Sequence, residues 1–241
     1  MADTASPLLQ ARALTKTYGE RIVTPVLKGI DLDLLAREFC ALTGPSGSGK
    51  TTLLNVIGLL ARPTDGRIFL DGHDTGNLHD DARTRLRARF LGFVFQFHHL
   101  LPAFTAAENV MMPLLSRHRR RKSWMRPRAL ELLEEVGLAD RADYRVIDLS
   151  GGQQQRVAVA RALVMDPPLV LADEPTGNLD TEASRRVLQL MRSFNERRST
   201  AFLIVTHDEH IARQCDRVVH MVDGRVDSDT RNGARVAPPP D

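Results

Sequence analysis

Cysteine, tryptophan and tyrosine are scarce in this chain, which holds two, one and two of them in 241 residues. Cys40 and Cys215 stand alone without a CxxC pairing. That excludes a disulfide scaffold or a cysteine-built metal site and fits buried thiols in a reducing compartment. Long apolar runs are missing as well. No segment approaches the roughly 18 to 20 residues that cross a bilayer, and Met1 to Pro7 has no signal-peptide pattern. The chain is therefore expected to stay in the cytoplasm unless a partner takes it to a membrane. A formal net charge of +3 is too small to argue for nucleic acid. There is no low-complexity tract and no internal repeat. With 42% hydrophobic and 26% charged residues, the composition suits one large α/β domain, or a core with an attached lobe.

What is present centres on Gly44-Pro45-Ser46-Gly47-Ser48-Gly49-Lys50-Thr51-Thr52. An apolar run short enough for a buried strand, Phe39 to Leu42, precedes it, and a helix-like apolar segment, Leu53 to Leu60, follows. Strand, glycine loop and helix form the setting of a phosphate-binding loop. Glycines at 44, 47 and 49 let the backbone curl so that successive N–H groups point at phosphate oxygens, and the helix end adds about half a positive charge. In the GxxxxGK[ST] pattern Lys50 reaches the β- and γ-phosphates and the Thr51 hydroxyl ligates Mg²⁺. The bland alternative is a glycine-rich turn with a surface lysine, and the strand-to-helix context weighs against it. A GxGxxG dinucleotide site is weaker still, because Thr52 stands where its last glycine would be.

A second anion-binding helix end lies at Leu149-Ser150-Gly151-Gly152-Gln153, where Ser150 is placed to cap a helix running through Val157, Ala160 and Val164. Next comes Leu169 to Ala172, a fully apolar strand that delivers Asp173-Glu174 to the carboxyl edge of a parallel sheet. Asp173 would hold Mg²⁺, usually through water, and Glu174 would orient or deprotonate the attacking water; the bland alternative, surface acids on a capped strand end, is weighed against by the phosphate loop upstream. Two more strand ends carry candidates. Phe90 to Phe95 ends in Gln96, whose amide could ligate Mg²⁺ or position water. Ala201 to Val205 leads to His207, a candidate for the γ-phosphate or for the water, though a lone histidine is often structural.

The remaining segments are less specific. Leu8 to Thr17 and Val23 to Leu35 alternate like strands of an antiparallel sheet, with Tyr18 between them placed to stack on a base. His98-His99 invites a metal, but adjacent side chains on an extended chain diverge and no third ligand is apparent. The acids Asp71, Asp74, Asp80 and Asp81 do not follow a calcium-loop pattern. Arg117 to Lys122 is a basic run read as a solvated loop. Ala129, Leu132, Leu133 and Val136, stopped by Gly137, mark a helix of a second, helical lobe. The last strand, Arg217 to Val222, turns at Asp223-Gly224.

Together these residues resemble the nucleotide-binding subunits of ATP-binding cassette transporters. The matching motifs are the Walker A loop Gly44 to Thr51, Gln96, the LSGGQ motif Leu149 to Gln153, Asp173-Glu174 on the Walker B strand, the D-loop Asn178-Leu179-Asp180, and His207. The resemblance implies an α/β P-loop NTPase core with a small antiparallel β subdomain and a helical subdomain at about residues 97–165. The cassette is expected over 8–226, between a flexible N-terminus, 1–7, and a disordered tail, 227–241. It further implies ATP and Mg²⁺ as ligands, with Thr51, Gln96 and Asp173 at the metal, Glu174, His207 and Lys50 in catalysis, and Tyr18 against the adenine. In such a subunit the partners are a second copy, whose LSGGQ helix completes the ATP site, and integral membrane subunits; no nucleic-acid partner is implied.

Within that family Phe95-Gln96-Phe97-His98-His99-Leu100-Leu101-Pro102, with Phe104-Thr105 and Glu108-Asn109-Val110, looks most like the ATPases of bacterial lipoprotein-releasing systems. These sit on the cytoplasmic face of the inner membrane. The run Gln153-Gln154-Gln155-Arg156 leans instead toward macrolide-exporter ATPases, and cell-division ATPases share much of the rest.

Overall fold

The computed structural model describes residues 6–19 and 22–232. In chain order the elements are β1 (Leu9–Tyr18), β2 (Thr24–Leu34), β3 (Phe39–Thr43), α1 (Lys50–Ile57), β4 (Asp65–Leu70), β5 (His73–Asp74) and α2 (Asp80–Phe90). Then follow β6 (Leu91–Phe95), α3 (Ala106–His118), α4 (Met125–Glu135), α5 (Gly151–Leu163), β7 (Leu169–Asp173) and α6 (Thr181–Arg198). The last are β8 (Ala201–Val205), α7 (Glu209–Arg213), β9 (Arg217–Val222) and β10 (Arg225–Arg231). The chain divides into two compact units, residues 1–83 with 201–241, and residues 84–200.

The first unit holds an antiparallel sheet ordered β2-β1-β4-β5, and strands ordered β10-β9-β3-β8. Inward residues of β1 and β2, such as Leu9, Leu14, Ile30 and Leu32, are buried, while their neighbours remain partly exposed. β3 as far as Leu42 and the whole of β8 are apolar and buried, as strands covered on both faces must be. They pair in parallel with Leu42 opposite Val205, and β3 pairs in parallel with β9.

The expected disordered tail from 227 needs correction as far as Arg231. Asp223 and Gly224, both at positive φ, form a tight turn, and β10 pairs back on β9 with Ser228 opposite His220 and Arg231 opposite Arg217. Asp229 bonds Arg217 Nε and Nη2 at 2.6 Å each, and Arg217 also bonds the Asp33 carbonyl at 2.7 Å. Residues 1–5 of the expected flexible N-terminus and residues 233–241 of the tail lie outside the described residues.

The second unit contains the parallel pair β6 and β7, in register with Phe95 opposite Asp173. Helices α3, α4 and α5 pack together around Val110, Leu114, Ala129, Leu132, Leu133 and Val157, all buried. Arg156 on α5 donates to the carbonyls of Val136 and Gly137, which follow the last turn of α4. α6 starts on Asp180, whose carboxylate accepts from Ala183 N at 2.8 Å, and buries Val187, Leu188, Met191 and Phe194. The region expected as the helical subdomain, 97–165, falls within this unit. The basic run 117–122 is exposed at every position.

Candidate functional site

In the first unit the phosphate loop leaves the carboxyl end of β3. Gly44 sits at φ +142, and a Cβ there would lie 2.1 Å from the Met221 carbonyl oxygen. Gly49, at φ +99, is the N-cap of α1 and faces Val26 O and Leu27 at 3.1 Å from its would-be Cβ. Only glycine fits either position. Lys50 folds back over the loop, donating to the carbonyls of Gly44 at 2.9 Å and Pro45 at 2.8 Å. Ser48 Oγ is buried within the loop without a hydrogen-bond partner. Pro45, Ser46, Gly47 and Thr51 are exposed, and Thr52 is partly so.

His207 follows β8 on the same sheet edge, since Leu42 and Val205 are partners and Thr206 N donates to Leu42 O at 3.1 Å. Its side chain is exposed. The same unit holds Tyr18, whose ring is 46% exposed with Lys16 Nζ 5.0 Å from its centroid. A base could stack on such a ring.

In the second unit the β6–β7 register sets Gln96 beside Glu174 at one sheet edge. Asp173 and Glu174 are both partly exposed, and Glu174 holds φ +45, a costly conformation for a residue with a Cβ. Gln96 Nε2 donates to Asn178 Oδ1, and Asn178 Nδ2 donates to the Gln96 carbonyl, each at 3.3 Å. A Cβ on Gly177 would come within 2.9 Å of Gln96 Nε2, so the absent side chain makes room for this pairing.

The LSGGQ end of α5 carries a complete capping box: Gln153 N donates to Ser150 Oγ at 3.3 Å and Ser150 N to Gln153 Oε1 at 2.8 Å. The spacing Ser-x-x-Gln signals this reciprocal pair, whereas sequence reasoning named only the Ser150 cap. Ser150 and Gly151 are exposed, and Gly152 packs on Ala183, 3.0 Å from its would-be Cβ. Residues of the motif and of the D-loop line one open hollow of about 320 Å³ in this unit, including Ser150, Gln153, Asn178 and Asp180.

Asn109 enters the sequence reading only as part of the Glu108-Asn109-Val110 resemblance, and its buried role is not legible there. It is fully buried near the start of α3, accepts from Leu101 N at 2.7 Å and donates to the carbonyls of Leu101 and Thr105. That clasp holds the segment after Gln96 in a fixed shape. Phe97, Leu101 and Phe104 stay 70%, 42% and 37% exposed. His98 is partly buried, and burial pushes its pKa down despite an opposing effect of Gln155. Among the described residues no cluster of three or more His, Cys, Asp or Glu could hold a metal, which leaves the His98-His99 pair without a third ligand.

The profile of the ABC transporter family matches residues 27–177, which covers both the phosphate loop and the Asp173-Glu174 edge. The chain belongs to the ABC transporter ATPases. The cassette is 56% identical to the lipoprotein-releasing system ATP-binding protein LolD of Anaeromyxobacter dehalogenans, over 95% of this chain and 98% of that one. Identity to LolD 1 of Rhodopseudomonas palustris is 55%, over 94% and 99% of the two chains. Among solved structures it resembles the ATP-binding cassette MJ0796 in a dimeric post-hydrolysis state bound to ADP and Pi, with 40% identity and a TM-score of 0.86 over 94% and 99% of the two chains. Among the described residues no helix of this ATPase is long and apolar enough to cross a membrane.

Proposed function

We propose that this ATPase powers the release of lipoproteins from the inner membrane toward the outer membrane, working on the cytoplasmic face as a pair of copies docked on integral membrane subunits. The observation that carries the reading is identity above one half to lipoprotein-releasing ATPases over nearly the whole of each chain. The segment Phe97 to Phe104, rigid at Asn109 yet rich in exposed apolar side chains, supports docking on a membrane subunit.

In this mechanism the N–H groups of residues 44–52 cradle the phosphates of ATP, Lys50 exchanges its loop carbonyls for the β- and γ-phosphates, and Tyr18 stacks on the adenine. The donor set Thr51, Gln96 and Asp173 consists of hydroxyl, amide and carboxylate oxygens, which suits Mg²⁺; the bound ion would neutralise charge developing on the phosphates. Glu174 accepts a proton from the attacking water and His207 donates to the γ-phosphate. Ser150, Gly151, Gly152 and Gln153 of one copy close over the γ-phosphate held by the other, which gives a two-fold pair two equivalent sites. The dimeric state of the similar cassette supports that arrangement.

Reconstitution with co-extracted membrane subunits tests the reading. ATP-dependent release of an acylated lipoprotein from proteoliposomes is expected. Transport of a macrolide or peptide without lipoprotein release would favour the exporter reading that the Gln153 to Arg156 run suggests.

A further inference from the structure

We infer that Gln155 is a positioning residue for hydrolysis: a single buried amide ties together the two strand ends that present Gln96 and Glu174. The inference rests on the assignment of those two residues to the ATP site.

Gln155 is fully buried on α5, two residues beyond the LSGGQ motif. Its Nε2 donates to the carbonyl of Phe95 at 3.3 Å and to that of Pro175 at 2.5 Å. Phe95 immediately precedes Gln96, and Pro175 immediately follows Glu174. Two carbonyl acceptors on one nitrogen require an N–H donor there, which fixes the orientation of the amide.

The neighbouring geometry gives this contact leverage. Glu174 holds a strained φ of +45, and the bonds between Gln96 and Asn178 are long. Arg161, about two turns further along α5, donates to the carbonyls of His98 and His99 at 2.7 and 2.6 Å. One helix thus grips the Gln96 segment on both sides of the glutamine. Its first turn is the LSGGQ end that meets nucleotide, so α5 joins nucleotide recognition to the placement of metal ligand and base. The amide also acts on His98, whose pKa it raises against the effect of burial. A buried amide with these partners is doing more than filling space.

Gln155→Leu keeps the volume and removes both donors. In the purified ATPase it is expected to lower kcat at least tenfold while KM for ATP stays within about twofold. Placed on a Gln96→Ala background, the same substitution is expected to cost less than it does alone, because one of its two targets is already gone. An equal loss on both backgrounds, or a kcat near wild type, would overturn the inference. Gln155→Glu, of nearly identical size, covers the case in which the leucine variant fails to fold. Its carboxyl donates only when protonated, so kcat is expected to rise as pH falls relative to wild type, and a pH profile parallel to wild type would count against the role. Gln96→Ala and Glu174→Gln alone separate the two levels. If both keep full turnover the site assignment fails and takes this inference with it; if both are impaired and Gln155→Leu is not, the inference alone fails.

Discussion

Gln96 and Asn178, far apart in sequence, bond each other in both directions: the Gln96 amide donates to the Asn178 side chain, and the Asn178 amide donates to the Gln96 carbonyl, each at 3.3 Å. The pair joins the end of β6 to the D-loop. Asn178→Ala removes both bonds and should cost about 1 kcal/mol of positioning, a fall in kcat of about fivefold. Asn178→Asp keeps the acceptor for Gln96 but faces a carbonyl with a carboxylate, and should be at least as impaired. Steady-state ATPase assays of the two variants check the order.

Glu174, proposed as the base, sits on a strained backbone at φ +45. Glu174→Gln should bind ATP with near wild-type affinity, lose at least about a hundredfold in turnover and accumulate as an ATP-bound dimer. Glu174→Gly should also be inactive, yet more stable by about 1 kcal/mol because it relieves the positive φ. Calorimetry alongside single-turnover hydrolysis separates the two effects. Turnover near wild type in the glutamine variant would remove Glu174 as the base.

The glycines of the phosphate loop are not equivalent. Gly44→Ala sets a Cβ 2.1 Å from the Met221 carbonyl oxygen and should yield little folded protein. Gly47, at φ +79 with nothing within 4 Å of its would-be Cβ, should tolerate alanine at about 1–2 kcal/mol. Thermal unfolding of the two variants gives the comparison.

Acid should weaken the second unit through His98. Burial holds its folded-state pKa below the ordinary value of 6.5. The unfolded chain therefore binds a proton that the folded chain refuses, and stability falls as pH drops below the ordinary histidine range. Above that range both states are neutral and the effect vanishes. His98→Leu should show a shallower loss of stability between pH 7 and pH 5 in urea titrations.

Much of this arrangement is legible in the sequence because its parts are local. Gly44 to Thr52, Ser150 to Gln153 and Asp173-Glu174 each pack a motif into a few consecutive residues beside an apolar strand or an amphipathic helix. What escaped is non-local or polar. Asn178 meets Gln96, and Gln155 meets Phe95 and Pro175, only through chain folding. β10 is almost wholly exposed, so its residues show no apolar alternation, and its order comes from pairing with β9 and from the ion pair of Asp229 with Arg217. The Asp223-Gly224 turn was the one local sign of that hairpin.

In the proposed function each nucleotide is enclosed by opposed surfaces of two copies. Turnover per subunit, measured across a dilution series that spans the monomer–dimer transition seen by light scattering, tests it most directly. The account predicts that specific activity collapses as the dimer dissociates, and that Ser150→Arg is nearly inactive even where wild type is fully paired. Constant turnover per subunit down to concentrations where only monomer remains would contradict it.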